Sequence, residues 1–238
     1  MPVRLGPPKQ RAVLCLLALE PNAFVHREAI VDALWPDEPP KTAINLVQTY
    51  VSRLRAALDP VRTPRDEAGL LFSAGTSYRL QAGAGQLDLL DFRGLLRAAK
   101  AAQAAGDFAA AGDLFDRALL SWTGESLGDV DVLRGHPAVH RLARERVVAV
   151  LGYADVCRDL GYRERVVEEL WTAVAVDPFH EAAHARLMVA LAVSGERSAA
   201  FRVFEDIRQR LDREYGVRPG ADIAEAHALI LRHDLRPR

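Results

Sequence analysis

A chain of 238 residues, half of them hydrophobic and 26 % charged, is a globular protein able to bury a core, with room for one large or two small domains. Its formal net charge is −1, so no whole-molecule field points to a nucleic acid. The distribution is slightly uneven: residues 1–80 hold ten Lys/Arg against eight Asp/Glu, a net +2 there and −3 in the rest.

Cys15 and Cys157 both lie inside apolar helical patterns, which reads as reduced thiols of a cytoplasmic protein. No signal peptide, lipidation motif or bilayer-length apolar run is present, so no membrane association is expected.

In chain order, Met1 to Gly6 is a short lead. Pro7 and Pro8 open a helix, with Pro8 suited to its first turn. Val13, Leu14 and Leu17, with Cys15 or Leu16, form its apolar face, and Pro21-Asn22 ends it. Phe24-Val25 reads as an extended link. His26 to Leu34 forms a second helix with Ala29, Ile30, Ala33 and Leu34 inward, and Trp35 is expected in the core between helices. The third helix is KTAINLVQTYVSRLRAAL, Lys41 to Leu58, bounded by Pro39-Pro40 and Asp59-Pro60. At 100° per residue Val47, Tyr50, Val51, Leu54 and Leu58 share one side. Lys41, Asn45, Gln48, Thr49 and Ser52 share the other, flanked by Arg53 and Arg55. The segment has three basic residues and no acid. Amides, hydroxyls and guanidinium groups are the side chains that read base edges and grip phosphates. On the face alone, a DNA-recognition helix and an amphipathic core helix both remain open.

After a polar loop (Asp59 to Gly69), Leu70–Phe72 and Tyr78–Leu80 read as two strands around a Gly75 turn. Three helices followed by a hairpin is the order of a winged helix-turn-helix. Gln81 to Gln86 (QAGAGQ) is a linker, which divides the chain into a DNA-binding domain at 1–82 and a second domain at 83–238. From Leu87 the pattern is helical throughout. Gly161 and Gly195 lie 34 residues apart, as do Val167 and Phe201, and Leu170 and Phe204. Phe115 takes the place of Leu170 in an earlier copy that begins at Gly106. That period, with a helix on each side of a glycine turn, predicts tetratricopeptide-like helix pairs that serve protein contact. The fold class is therefore mainly α: a winged helix-turn-helix, then an all-α helical-repeat domain.

The segments LGPPKQRAVLCLLALEPN (5–22), ALWPDEPPKTAINLVQTYVSRLRAAL (33–58), Tyr78-Arg79-Leu80 and GVRPGADIAEAHALIL (216–231) resemble the Streptomyces antibiotic regulatory proteins in their short form. The resemblance implies an OmpR-like winged helix-turn-helix followed by a bacterial transcriptional activation domain. It further implies an activator of a secondary-metabolite (antibiotic) gene cluster. Such proteins form homodimers on direct repeats of double-stranded DNA near the promoter −35 element, where they recruit RNA polymerase holoenzyme. The family pattern also carries an N-terminal strand region before LGPPKQR. Four residues precede that motif here, so the expectation is a later start or a missing bracing sheet. Ser77 stands where the family wing carries glycine. Larger members add an ATPase module, and this sequence has no G-x-x-x-x-G-K-[ST] loop.

Carried onto this chain, the resemblance places Asn45, Gln48, Thr49 and Ser52 in the groove with Arg53 and Arg55 beside them. It makes Lys9, Arg11, Lys41 and Arg79 candidates for phosphate contact. Plainer roles stand beside these: Arg55 pairing an acid such as Glu20, Arg79 solvated on its strand, Tyr50 in the core. His180-Glu181-Ala182-Ala183-His184 spells H-E-x-x-H, a zinc motif if a third ligand such as Glu205 joins it; its place in the repeat favours packing instead. His136 and His140 are also four apart. The acidic stretch Glu125 to Asp131 reads as a loop or as a surface for a basic region of polymerase. No catalytic, cofactor or metal residue is expected. A helical-repeat adaptor without DNA binding is the competing function.

Overall fold

The computed structural model describes residues 5–60, 69–122, 130–160 and 164–232. The lead Met1–Arg4, most of the polar loop, most of the acidic stretch and Gly161 lie outside them. Helix α1 spans Pro8–Leu19, with Pro8 at its start, where a missing N–H is harmless. Strand β1 is Val25–His26, α2 is Arg27–Leu34, and α3 is Ala43–Leu58. Strands β2 (Leu71–Ala74) and β3 (Ser77–Leu80) form the hairpin. The helices after it are α4 (Asp88–Ala104), α5 (Phe108–Leu120), α6 (Pro137–Leu160), α7 (Glu164–Val176), α8 (Glu181–Val193), α9 (Arg197–Tyr215) and α10 (Ala221–Arg232).

Two compact units emerge, and they do not simply follow chain order. One holds residues 1–93 with 122–142, the other 94–121 with 143–238. In the first, Val13, Leu16 and Leu17 of α1 meet Ile30 and Leu34 of α2 and Val47, Val51 and Leu54 of α3. Burying each such side chain stabilises the unit by about 1.5–3 kcal/mol. Leu14 is only partly buried, since Leu16 takes the inward position. On α2 the buried set is Ile30, Val31 and Leu34. Val31 displaces the expected Ala29 because the larger apolar surface gains more from leaving water. Trp35 sits at the core margin, not within it, under the Lys9 ammonium.

The sheet has the order β1-β3-β2, antiparallel throughout. The expected extended link at Phe24-Val25 becomes a third strand, with Val25 opposite Tyr78. Gly75, at φ +56°, opens the two-residue hairpin turn, where a positive φ at the first loop position favours glycine. Ser77 pairs with Ala74 and begins β3 without strain. Asn22, at φ +65°, fixes the end of α1 to the end of β3. Its backbone N–H donates to the Leu80 carbonyl, and its amide exchanges two hydrogen bonds with the Ala82 backbone.

The second unit is helical. The α4–α5 and α8–α9 turns share one geometry: Gly106 and Gly195 lie at φ +79° and +87°. In each, the next residue's N–H reaches back five positions, Asp107 to Ala102 and Glu196 to Leu191. Phe115 and Leu170 are both fully buried, as their place in the repeat predicts. Phe204 instead stacks on His227 of α10, ring centroids 3.9 Å apart. Arg146 and Arg165 enclose the buried Glu169 carboxylate. Tyr153 and Arg165 both reach Asp116, so α5, α6 and α7 share one polar network. Cys157 is buried and Cys15 half-buried, and neither is in a disulfide. No helix among the described residues is long and apolar enough to cross a membrane.

Candidate nucleic-acid interface

Helix α3 starts at Ala43, two residues later than Lys41. Pro39 and Pro40 cannot donate, and the Ala43 N–H turns back to the Pro40 carbonyl at 2.8 Å. Lys41 and Thr42 therefore belong to the turn that feeds the helix, and both are exposed. Ala43, Val47, Val51 and Leu54 are buried along one side. Tyr50 is half-buried against the same cluster, which agrees with its core reading. Asn45, Gln48, Thr49, Ser52 and Arg53 are all exposed on the other side. From Asn45 to Arg53 the face runs about 12 Å at 1.5 Å per residue. The helix contains no carboxylate, so nothing on it repels a phosphate.

Each side chain has a definite hydrogen-bonding capacity. Thr49 Oγ1 donates to the Asn45 carbonyl at 2.8 Å, which leaves its oxygen as an acceptor. Asn45 and Gln48 carry both donors and acceptors. Ile44, 38 % exposed, joins this face and was not singled out from sequence, where an isoleucine reads as core. Its projection at 100° per residue falls between the buried Val51 and Arg55, at the edge of the apolar side, so the helical period alone does not mark it.

The other basic candidates have protein partners. Arg55 does not pair with Glu20, which binds Arg141 instead. Its Nε donates to the Leu71 carbonyl at 3.0 Å and its Nη2 to Ser73 Oγ, tying α3 to the hairpin. Lys9 Nζ donates to the Leu34 carbonyl at 3.2 Å and lies 4.2 Å from the centre of the Trp35 ring. Lys9 thus closes the C-terminal end of α2, and partial burial lowers its pKa. Arg11 Nη1 donates to the Gly6 carbonyl. On the hairpin, the Arg79 guanidinium lies 4.6 Å from the Phe24 ring centre and 5.0 Å from that of Phe72. Phe72 is its cross-strand partner, so two aromatic faces hold the cation in place. The hairpin tip is also fixed: Thr76 Oγ1 meets His26 Nε2 at 2.6 Å, and the Thr76 carbonyl accepts from Arg27 N at 2.9 Å. The structure thus brings together Asn45, Gln48, Thr49, Ser52 and Arg53, with Lys41 at one end. Arg79 belongs to the hairpin, Arg55 ties α3 to it, and Lys9 and Arg11 belong to the supporting frame.

The H-E-x-x-H segment has structural duties. His180 Nδ1 accepts from Ala183 N as the cap of α8, and Glu181 accepts from Gly220 N. His184 is buried with Nδ1 3.1 Å from the His180 carbonyl. Arg208 and Gln209 hydrogen-bond Glu205 and hold its carboxyl down to about 2. His136 Nδ1 accepts from Ala138 N at 3.2 Å. Among the described residues no group of three His, Cys, Asp or Glu side chains is placed to share a metal ion.

Comparison with known proteins covers nearly the whole chain. Residues 2–80 match the family described as "Transcriptional regulatory protein, C terminal", and residues 87–231 match "Bacterial transcriptional activator domain". The regulatory protein AfsR of Streptomyces coelicolor is 36 % identical over 230 residues, 96 % of this chain but 22 % of AfsR. The transcriptional regulatory protein MoaR1 of Mycobacterium tuberculosis is 33 % identical over 96 % of this chain and 73 % of its own length. The solved structure of M. tuberculosis EmbR, in complex with a low affinity phosphopeptide, superposes with TM-score 0.81 at 31 % identity, covering 98 % of this chain and 61 % of that one. The chain therefore belongs to the Streptomyces antibiotic regulatory protein family of transcriptional regulators, which join an OmpR-like DNA-binding domain to a bacterial transcriptional activator domain.

Proposed function

We propose that this regulator binds duplex DNA by laying the exposed face of α3 in the major groove, and acts as an activator of a secondary-metabolite gene cluster. The supporting observation is the division of α3 into a buried apolar side and an acid-free side of amides, hydroxyls and Arg53. In this reading Asn45, Gln48, Thr49 and Ser52 face base edges. Lys41 and Arg53 grip phosphate, and the hairpin presents Arg79 to the neighbouring backbone. Two copies bind direct repeats near the −35 element, and the second unit recruits RNA polymerase holoenzyme. The activity is non-enzymatic and cytoplasmic, with the boundary between the two functional domains near residue 82.

Selection of bound duplexes from a random library by the 238-residue protein tests this. The expected result is enrichment of two direct repeats about one helical turn apart. Enrichment of no sequence, by a folded protein that still captures a protein partner, would favour the adaptor reading instead.

A further inference from the structure

The second unit contains a groove that DNA reading does not use. Helices α7, α8 and α9 line a cavity of about 420 Å³, within the range that holds a small organic ligand. Trp171, Val174 and Val203 supply apolar wall. Val174 and Val203 are buried, while Trp171 is 47 % exposed, so an indole face stands half open at an apolar hollow.

Polar groups converge on the same space. His184 lines it and is itself 4 % exposed. Its Nδ1 lies 3.1 Å from the His180 carbonyl. A carbonyl only accepts, so Nδ1 carries the proton and Nε2 of the neutral ring is an acceptor. Burial lowers the His184 pKa and so favours that neutral ring. Arg210 is paired with Asp206 at 2.9 Å. Arg202 also lines the cavity, and it has no carboxylate partner among the described residues. An apolar hollow with one uncompensated guanidinium and one buried acceptor is complementary to a ring-bearing anion that carries an N–H or O–H.

We propose that this groove binds a small aromatic acid. Its ring body lies against Trp171, Val174 and Val203, its carboxylate or sulfonate meets Arg202, and a donor group meets His184. A volume of about 420 Å³ suits a free small molecule better than a polypeptide segment.

Anilinonaphthalene sulfonate has each of these features and is the probe. Titrated into the 238-residue protein, it should bind saturably at one site with a rise in fluorescence. Arg202→Gln, at an exposed position, should weaken it about five- to tenfold, the size of one partly exposed charge-assisted contact. Ala199→Leu, which narrows the groove, should weaken it similarly, and free naphthoate should displace it. Phenylnaphthylamine, the same ring body without the anion, should bind wild type and Arg202→Gln alike. Probe binding insensitive to Arg202→Gln in a folded variant would overturn the proposal. So would displacement by an acidic apolar peptide but not by naphthoate, which would assign the groove to a protein partner.

Discussion

Gln48 and Arg53 lie on the same exposed side of α3 yet differ in what they can recognise. A carboxamide offers a paired donor and acceptor that match adenine at the major-groove edge, whereas a guanidinium at the border of the face meets phosphate first. Gln48→Ala should therefore cost about 1–3 kcal/mol on the selected operator and relax preference at one base position. Arg53→Ala should weaken every sequence alike and leave the selected consensus unchanged. Binding titrations on the operator and on single-base variants separate the two outcomes. Equal affinity of both variants and wild type would remove α3 from the groove. The frame residues behave differently. Lys9 looks equivalent to Arg53 in sequence, but the Leu34 carbonyl and the Trp35 ring hold it. Cation and ring partners lie far apart along the chain, so only the fold distinguishes a cation held by its own protein from one turned outward.

At the level of the helix, Gly152 is the position where α6 approaches α5. A Cβ built there would lie 2.5 Å from Phe115 Cζ, and Phe115 is fully buried, so its ring has no room to swing aside. Gly152→Ala gains about 1 kcal/mol of helix propensity but incurs overpacking of about 1–3 kcal/mol. The expected net is a lower urea midpoint, partly recovered by adding Phe115→Leu. Additive effects of the two substitutions would mean that the contact does not limit packing. Nothing in the sequence marks Gly152, since a glycine inside a helical pattern is informative only once its neighbour is known. The same divide separates what was legible from what was not. The ends of α1 and α3 are written locally in Pro8 and in Pro39-Pro40, and the buried side of α3 in a 3.6-residue period. Strand β1 is two residues long and shows no alternation. Its existence depends on Tyr78 and Ser77, more than fifty positions away. Arg55 similarly acquires its role from Leu71 and Ser73, and residues 122–142 join the first unit through tertiary contact alone.

For the molecule as a whole, a net charge of −1 means that DNA affinity cannot come from a general positive field. It must come from a few placed cations, and the dependence on salt then counts them. Each neutralised phosphate contributes about −0.9 to the slope of log K against log salt. If Lys41, Arg53 and Arg79 each meet one phosphate, one copy gives a slope of about −2.7 and two copies on a direct repeat about −5. Arg53→Ala in both copies should flatten the second value by about two, one for each lost contact. Fluorescence anisotropy on single and repeated half-sites, from about 50 to about 300 mM KCl, measures all three slopes. A slope near zero would mean that the cations of α3 and the hairpin do not touch the backbone. A repeated site with the slope of a single one would mean that only one copy binds. A slope far steeper than about −5 would place further basic residues at the phosphates, with Arg11 the first to substitute, because it lies in the supporting frame of this same unit.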